Sequence, residues 1–106
     1  MAKNNINNEI IIEASARIAN RIGLDNLSLK LIAEELNVKS PSLYNYVSSL
    51  DSVKQNLMVY GWKQLEEALV DSAVGVTGYE ALKNMCNTFY NYATNEKGVF
   101  TAMLWY

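Results

Sequence analysis

Apolar residues recur along this chain at three- and four-residue spacing, a period that predicts helices. Ile10, Ala14, Ile18 and Ile22 form one stripe, widened by Ile11 and Ala19. Glu9, Glu13, Arg17 and Asn20 fall mostly on the other side, so a first amphipathic helix is expected from Asn7 to Arg21. Gly23 lies where such a helix stops. After the loop Leu24–Leu27, Ser28 is suited to cap a second helix, because its hydroxyl can accept from a free backbone N–H. Leu29, Ile32, Ala33 and Leu36 supply a buried face, and Lys30, Glu34 and Glu35 point outward. Asn37, which tolerates a left-handed backbone, ends this helix, and Val38 plugs the corner.

Ser40-Pro41 predicts the start of a third helix, with serine at the cap and proline at the first helical position. Leu43 and Val47 face the core from one side of it. Ser42, Asn45, Tyr46 and Ser49 share the other. About two turns long, this helix must be held by tertiary packing. Ser49-Leu50-Asp51 offers a cap for a long fourth helix to Ser72, with an apolar stripe through Leu50, Val53, Leu57, Met58, Trp62, Leu65, Ala68 and Leu69. Gly75–Gly78 breaks the chain. A fifth helix is expected from Tyr79 to Thr94, burying Leu82, Met85, Cys86, Phe89, Tyr90 and Ala93, with Asn95–Gly98 as its end. The run Val99–Tyr106 is almost wholly apolar and begins another helix. So hydrophobic an end predicts either an N-terminal piece of a longer protein or an end buried against a second copy.

Composition narrows the function. With 106 residues, half of them hydrophobic, the chain can form one compact core. One proline and five glycines are too few for a turn-rich β-sandwich. No apolar run reaches the roughly 18 residues that span a bilayer, and the first residues lack a signal-peptide core, so a cytoplasmic location is expected without membrane attachment. Cys86, the single cysteine, excludes an intrachain disulfide and reads as a small buried hydrophobe. The absence of histidine removes the commonest general base and metal ligand. No nucleophile–base pair or phosphate-cradling glycine loop is present. An enzyme, a metal site and a cofactor are therefore not expected.

Two short helices joined by a tight turn form a helix-turn-helix, a device for placing side chains in the DNA major groove. On its exposed face Ser42 and Asn45 suit base edges, since an asparagine can pair bidentately with adenine. Tyr44 and Tyr46 can donate phenolic hydrogen bonds to phosphates. Ser28 and Ser40 mark helix N-termini that attract anions, although both would also cap helices in any helical protein. Lys39 and Lys54 flank the reading face. The net charge of −2 is awkward for such a role. Lys3, Arg17, Arg21, Lys30, Lys39 and Lys54 are cancelled by Glu9, Glu13, Asp25, Glu34, Glu35 and Asp51. Binding must then rest on a few placed donors, with weak non-specific affinity.

The runs Ala14–Leu29, Ile32–Val38 and Ser40–Val47, with helix–Gly–loop–Ser, then Ile-Ala, then Leu-Tyr, resemble the TetR/AcrR family of bacterial transcriptional regulators. The similarity spans Ile10 to Leu57. Two departures stand out. Family members usually carry His-Phe where this chain has Tyr46-Val47, and often a phosphate-binding lysine where Leu50 stands. The form Val47-Ser-Ser-Leu50-Asp is similar to a subgroup with a WHG-type body, and Tyr90, Tyr92-Ala93, Gly98 and Phe100 loosely match that body.

The resemblance implies an all-α fold. A three-helix, homeodomain-like head (residues 1–48) would be followed by a linking helix and part of a regulatory body (residues 49–106). It implies a homodimer on double-stranded, palindromic DNA, acting as a repressor relieved by a small apolar effector. Met58, Trp62, Phe89 and Tyr92 are the candidate pocket residues, with Tyr60, Met103 and Trp105 beside them, although such stripes more often belong to a core. The rival expectation is a helical protein-interaction module that has lost DNA binding.

Overall fold

In the computed structural model, residues 6–105 are described, and every regular element among them is helical. Helix α1 (Asn8–Ile22) is capped by Asn7, whose side chain accepts from the Ile10 N–H at 2.8 Å. Gly23, at φ 95°, turns the chain into a short 3-10 turn, Leu24–Asn26. Helix α2 (Leu29–Leu36) is capped by Ser28, as the sequence predicts, and closed by Asn37 in the left-handed region at φ 58°. Helices α3 (Ser40–Leu43), α4 (Leu50–Ala73), α5 (Gly78–Asn95) and α6 (Lys97–Trp105) follow.

The buried stripe of α1 is rotated by about one residue from the expected one. Ile11, Ala14, Ser15, Ile18 and Ala19 are buried, whereas Ile10 is half-buried and Ile22 exposed. The reason is that α1 packs against α2, α4 and α6 together, so its core-facing arc is wider and centred differently from a single stripe. Ser15 stays buried because its hydroxyl donates to the Ile11 carbonyl at 2.7 Å.

One apolar core joins all of this. Ile11, Ile18, Ile32, Leu43, Val53, Leu57, Leu65 and Val99 are essentially inaccessible to solvent. Helix α6 lies between α1 and α4. Glycines permit its close approach on both sides: a Cβ at Gly98 would overlap the backbone carbonyl of Ala19, and one at Gly61 would meet Met103 Sδ at 2.6 Å and Val99 Cγ1 at 2.8 Å. One expectation is thereby corrected: Gly98 is a buried helical residue and not part of a stop. The apolar run from Val99 is partly buried in its own chain, with Val99, Ala102 and Met103 inside and Leu104 and Trp105 exposed.

Helix α5 departs furthest from expectation, for none of its residues is fully buried. Its half-buried stripe is Ala81, Asn84, Met85, Thr88, Tyr92 and Ala93. Leu82, Cys86, Phe89 and Tyr90, expected inside, are exposed. Helix α5 packs mainly on α4, with only a lesser contact to α6, so only a narrow strip of it is covered. Polar bonds help to hold it: Tyr92 donates to Gln64 Oε1 at 2.8 Å, Gln64 donates to the Tyr60 hydroxyl at 2.9 Å, and Asn84 donates to the Ser72 carbonyl at 3.2 Å.

Burial, followed by the Glu96 carboxylate, pushes the Tyr92 phenol well above its ordinary value of 10.0, and burial raises Tyr60 as well. A raised phenol binds its proton more tightly folded than unfolded. The stability it contributes is complete below about pH 10 and is lost as the pH climbs beyond it. The urea midpoint should therefore fall between about pH 8 and pH 11, and fall less in Tyr92→Phe. An equal fall in both proteins would refute the assignment.

Candidate nucleic-acid interface

The chain from Lys39 to Ser49 forms a small protrusion held from behind. Leu43 is completely buried and Val47 nearly so, as the spacing of the two predicts. Helix α3 itself is only four residues long. Beyond it the backbone tightens. The N–H groups of Tyr44, Asn45 and Tyr46 donate to the carbonyls of Pro41, Ser42 and Leu43, three residues back, before Val47 returns to the Leu43 carbonyl at 3.0 Å. The expected two-turn helix is thus one α-turn finished by 3-10-like turns, a usual way of closing a helix end.

That geometry fans the side chains outward. Asn45 is exposed between Tyr44, 58 % exposed, and Tyr46, 42 % exposed, while Ser42 is half-buried. Ser40 is not the cap that the Ser-Pro pair predicts. Lys39 occupies the cap position, without a side-chain bond, and Ser40 is the first helical residue. Pro41 has no N–H, and the Ser42 N–H is bonded to the Lys39 carbonyl at 2.9 Å, so few free donors remain at this end to attract an anion. Ser28 does cap α2, its hydroxyl accepting from the Leu31 N–H at 3.1 Å.

A reciprocal capping box that the sequence pattern does not signal opens α4. Ser49 Oγ accepts from the Ser52 N–H, and Ser52 Oγ accepts from the Ser49 N–H, each at 3.2 Å. The usual signature has Glu or Gln in the second position, and serine there hides it. The box fixes where α4 leaves the protrusion, and with it the half-buried Lys54 one turn further on.

Local electrostatics are set by pairing. Arg17 Nε meets Glu35 Oε2 at 3.0 Å, and Arg21 lies 3.9 Å from the other oxygen of the same carboxylate. Among the described residues no ion pair involves Lys30, Lys39 or Lys54. The arginines of α1 thus share one carboxylate, whereas these three lysines carry no such partner among the described residues.

The candidate pocket residues are scattered. An open apolar groove of about 460 Å³ runs between α4 and α5, lined by Trp62, Leu65, Leu69, Val70, Val74 and Met85 among others. Only Trp62 of the expected four lies on it. Met58 is half-buried further up α4, Phe89 packs edge-on against Phe100 at 5.8 Å, and Tyr92 is engaged with Gln64.

Helices α1 to α3, with an exposed polar tip on buried anchors, define a helix-turn-helix head. Residues 11–49 match the family described as bacterial regulatory proteins, tetR family. The chain is 29 % identical over 96 residues to the Uncharacterized HTH-type transcriptional regulator YobS of Bacillus subtilis (strain 168), covering 91 % of this chain and 50 % of that protein. It is 27 % identical over 97 residues to the Uncharacterized HTH-type transcriptional regulator Rv0681 of Mycobacterium tuberculosis, covering 92 % of this chain and 44 % of that one. The N-terminal helix-turn-helix is thus similar to that of the tetR family, and both relatives are named as HTH-type transcriptional regulators. It spans about half the length of these curated relatives. Among the described residues no helix is long and apolar enough to cross a membrane.

Proposed function

We propose that this protein is a sequence-specific, cytoplasmic DNA-binding regulator that acts as a homodimer on a palindromic operator and represses until a small apolar effector binds. The observation that carries the reading is the exposed Asn45, set between two exposed tyrosines on a turn anchored by buried Leu43 and Val47. In this reading Asn45 and Ser42 meet base edges. Tyr44, Tyr46, Ser40, Ser28, Lys39 and Lys54 hold the sugar-phosphate backbone. Residues 1–48 recognise DNA and residues 49–106 link and regulate, a division of labour rather than of packing. The groove at Trp62 and Met85 has the apolar lining that a hydrophobic effector requires. Two heads must meet half-sites about 34 Å apart, so a small change in their spacing lowers affinity.

A gel shift with the full-length protein and the duplex upstream of its own coding region tests the reading. A sequence-dependent, salt-sensitive complex is expected, and no complex at low salt would end the proposal. Asn45→Ala should narrow the gap between cognate and scrambled duplex by about tenfold, the scale of one lost base contact. Tyr44→Phe should weaken both duplexes alike, by a fewfold. The reverse pattern would overturn the assignment of contacts.

The pairing of Arg17 and Arg21 with Glu35 favours a second reading, a helical interaction module without DNA affinity. Fluorescence anisotropy with random duplex at low salt separates the two, since a DNA-binding head retains measurable non-specific affinity there.

A further inference from the structure

We propose that Asn20 is a positioning residue: its one amide locks the corner between α5 and α6 onto the head and so fixes how the head is held. Asn20 lies on the last turn of α1, on the side that its sequence pattern assigns to solvent. In the fold it is half-buried, and three hydrogen bonds converge on it. Its Oδ1 accepts from the Gly98 N–H at 2.9 Å and the Val99 N–H at 3.1 Å, and its Nδ2 donates to Glu96 Oε1 at 2.8 Å.

The first N–H groups of a helix have no partner within it, and a residue just before the helix normally supplies one. For α6 that acceptor comes from α1, 78 positions earlier in the chain. The same amide grips Glu96, which ends α5 through its N–H to the Tyr92 carbonyl and begins α6 through its carbonyl to the Phe100 N–H. Three helices thus meet on one side chain. Gly98 lets the α6 backbone lie against Ala19, so nothing intervenes.

Such bonds tolerate only a few tenths of an ångström. A slide of α6 by about 1 Å along α1 would break both backbone bonds at once. Helix α1 in turn packs on α2, which carries the protrusion. Displacement of the α5–α6 corner is therefore felt by the head through Asn20. The functional arm of this proposal rests on the DNA-binding reading, and the structural arm does not.

The test uses full-length protein with Asn20→Ala, Asn20→Asp and, as a control of comparable stability loss, Ile11→Val. Amide hydrogen exchange and gel shift with the upstream duplex are read for each. Asn20→Ala should speed exchange at Gly98 and Val99 about tenfold beyond any global change, the scale of a lost hydrogen bond. It should also speed exchange at Ser42, Tyr46 and Val47 and weaken duplex binding about fivefold per folded molecule. Asn20→Asp keeps an acceptor for the two N–H groups but faces Glu96 with a second carboxylate. It should retain part of the protection at Gly98 and Val99. Unchanged exchange at these two amides in Asn20→Ala would overturn the proposal. So would equal effects of Ile11→Val, or a loosened corner with no change at the protrusion. If the wild-type protein binds no duplex, the DNA-binding reading fails, and the exchange at Ser42, Tyr46 and Val47 still decides the role of Asn20.

Discussion

Replacing Gly98 by alanine should destabilise the fold by about 3 kcal/mol, in the upper range for overfilling a packed interior. The added methyl would overlap the carbonyl oxygen and carbon of Ala19, and both are backbone atoms that no rotamer change can move aside. Helix α6 would have to retreat from α1, losing the Asn20 bonds and loosening Val99, Ala102 and Met103. For a domain of this size the melting temperature should drop by about 15 °C, measured by circular dichroism. Gly61→Ala is the comparison. Its methyl meets the end of Met103, a flexible side chain, as well as Val99, so its cost should be smaller. A melting temperature for Gly98→Ala within about 2 °C of wild type would show that the contact is soft.

Leu43→Ala should cost DNA affinity far more than helix content. A four-residue helix cannot sustain itself, and Leu43 and Val47 are the buried side chains that tether it. Truncating a fully buried leucine costs about 2–5 kcal/mol, and here the loss falls on a segment that can loosen while α1, α4 and α6 stay packed. Far-UV circular dichroism should change little. Affinity for the upstream duplex should fall on the order of a hundredfold. Binding equal to wild type would mean that the protrusion does not carry recognition.

The head was legible because its signals are local. Ser28 as a cap, Gly23 and Asn37 as stops, and Leu43 with Val47 as anchors depend on neighbours within one or two turns. The third helix misled at both ends. Ser40-Pro41 has the form of a cap and first turn, yet Lys39 takes the cap, and the 3-10-like bonds after Leu43 are invisible to a 3.6-residue period. What failed more widely was long-range. The polar side of α1 hides Asn20, whose partners lie at the α5–α6 corner and in α6. Periodicity cannot say how many neighbours a helix has, so it predicts a buried apolar side for α5 where only a strip facing α4 is covered. A glycine in a helix reads as a stop until the chain it must touch is known, as at Gly98.

The place of α6 also sets the order in which this protein can acquire its shape during synthesis. A nascent chain released from the ribosome only as far as Asn95 holds the whole reading segment, yet it lacks Val99, Ala102 and Met103, which plug the space between α1 and α4. The first helix to be translated must wait for the last one described before its interior closes. Polypeptides cut short at that point would carry an unsealed seam and be open to proteases.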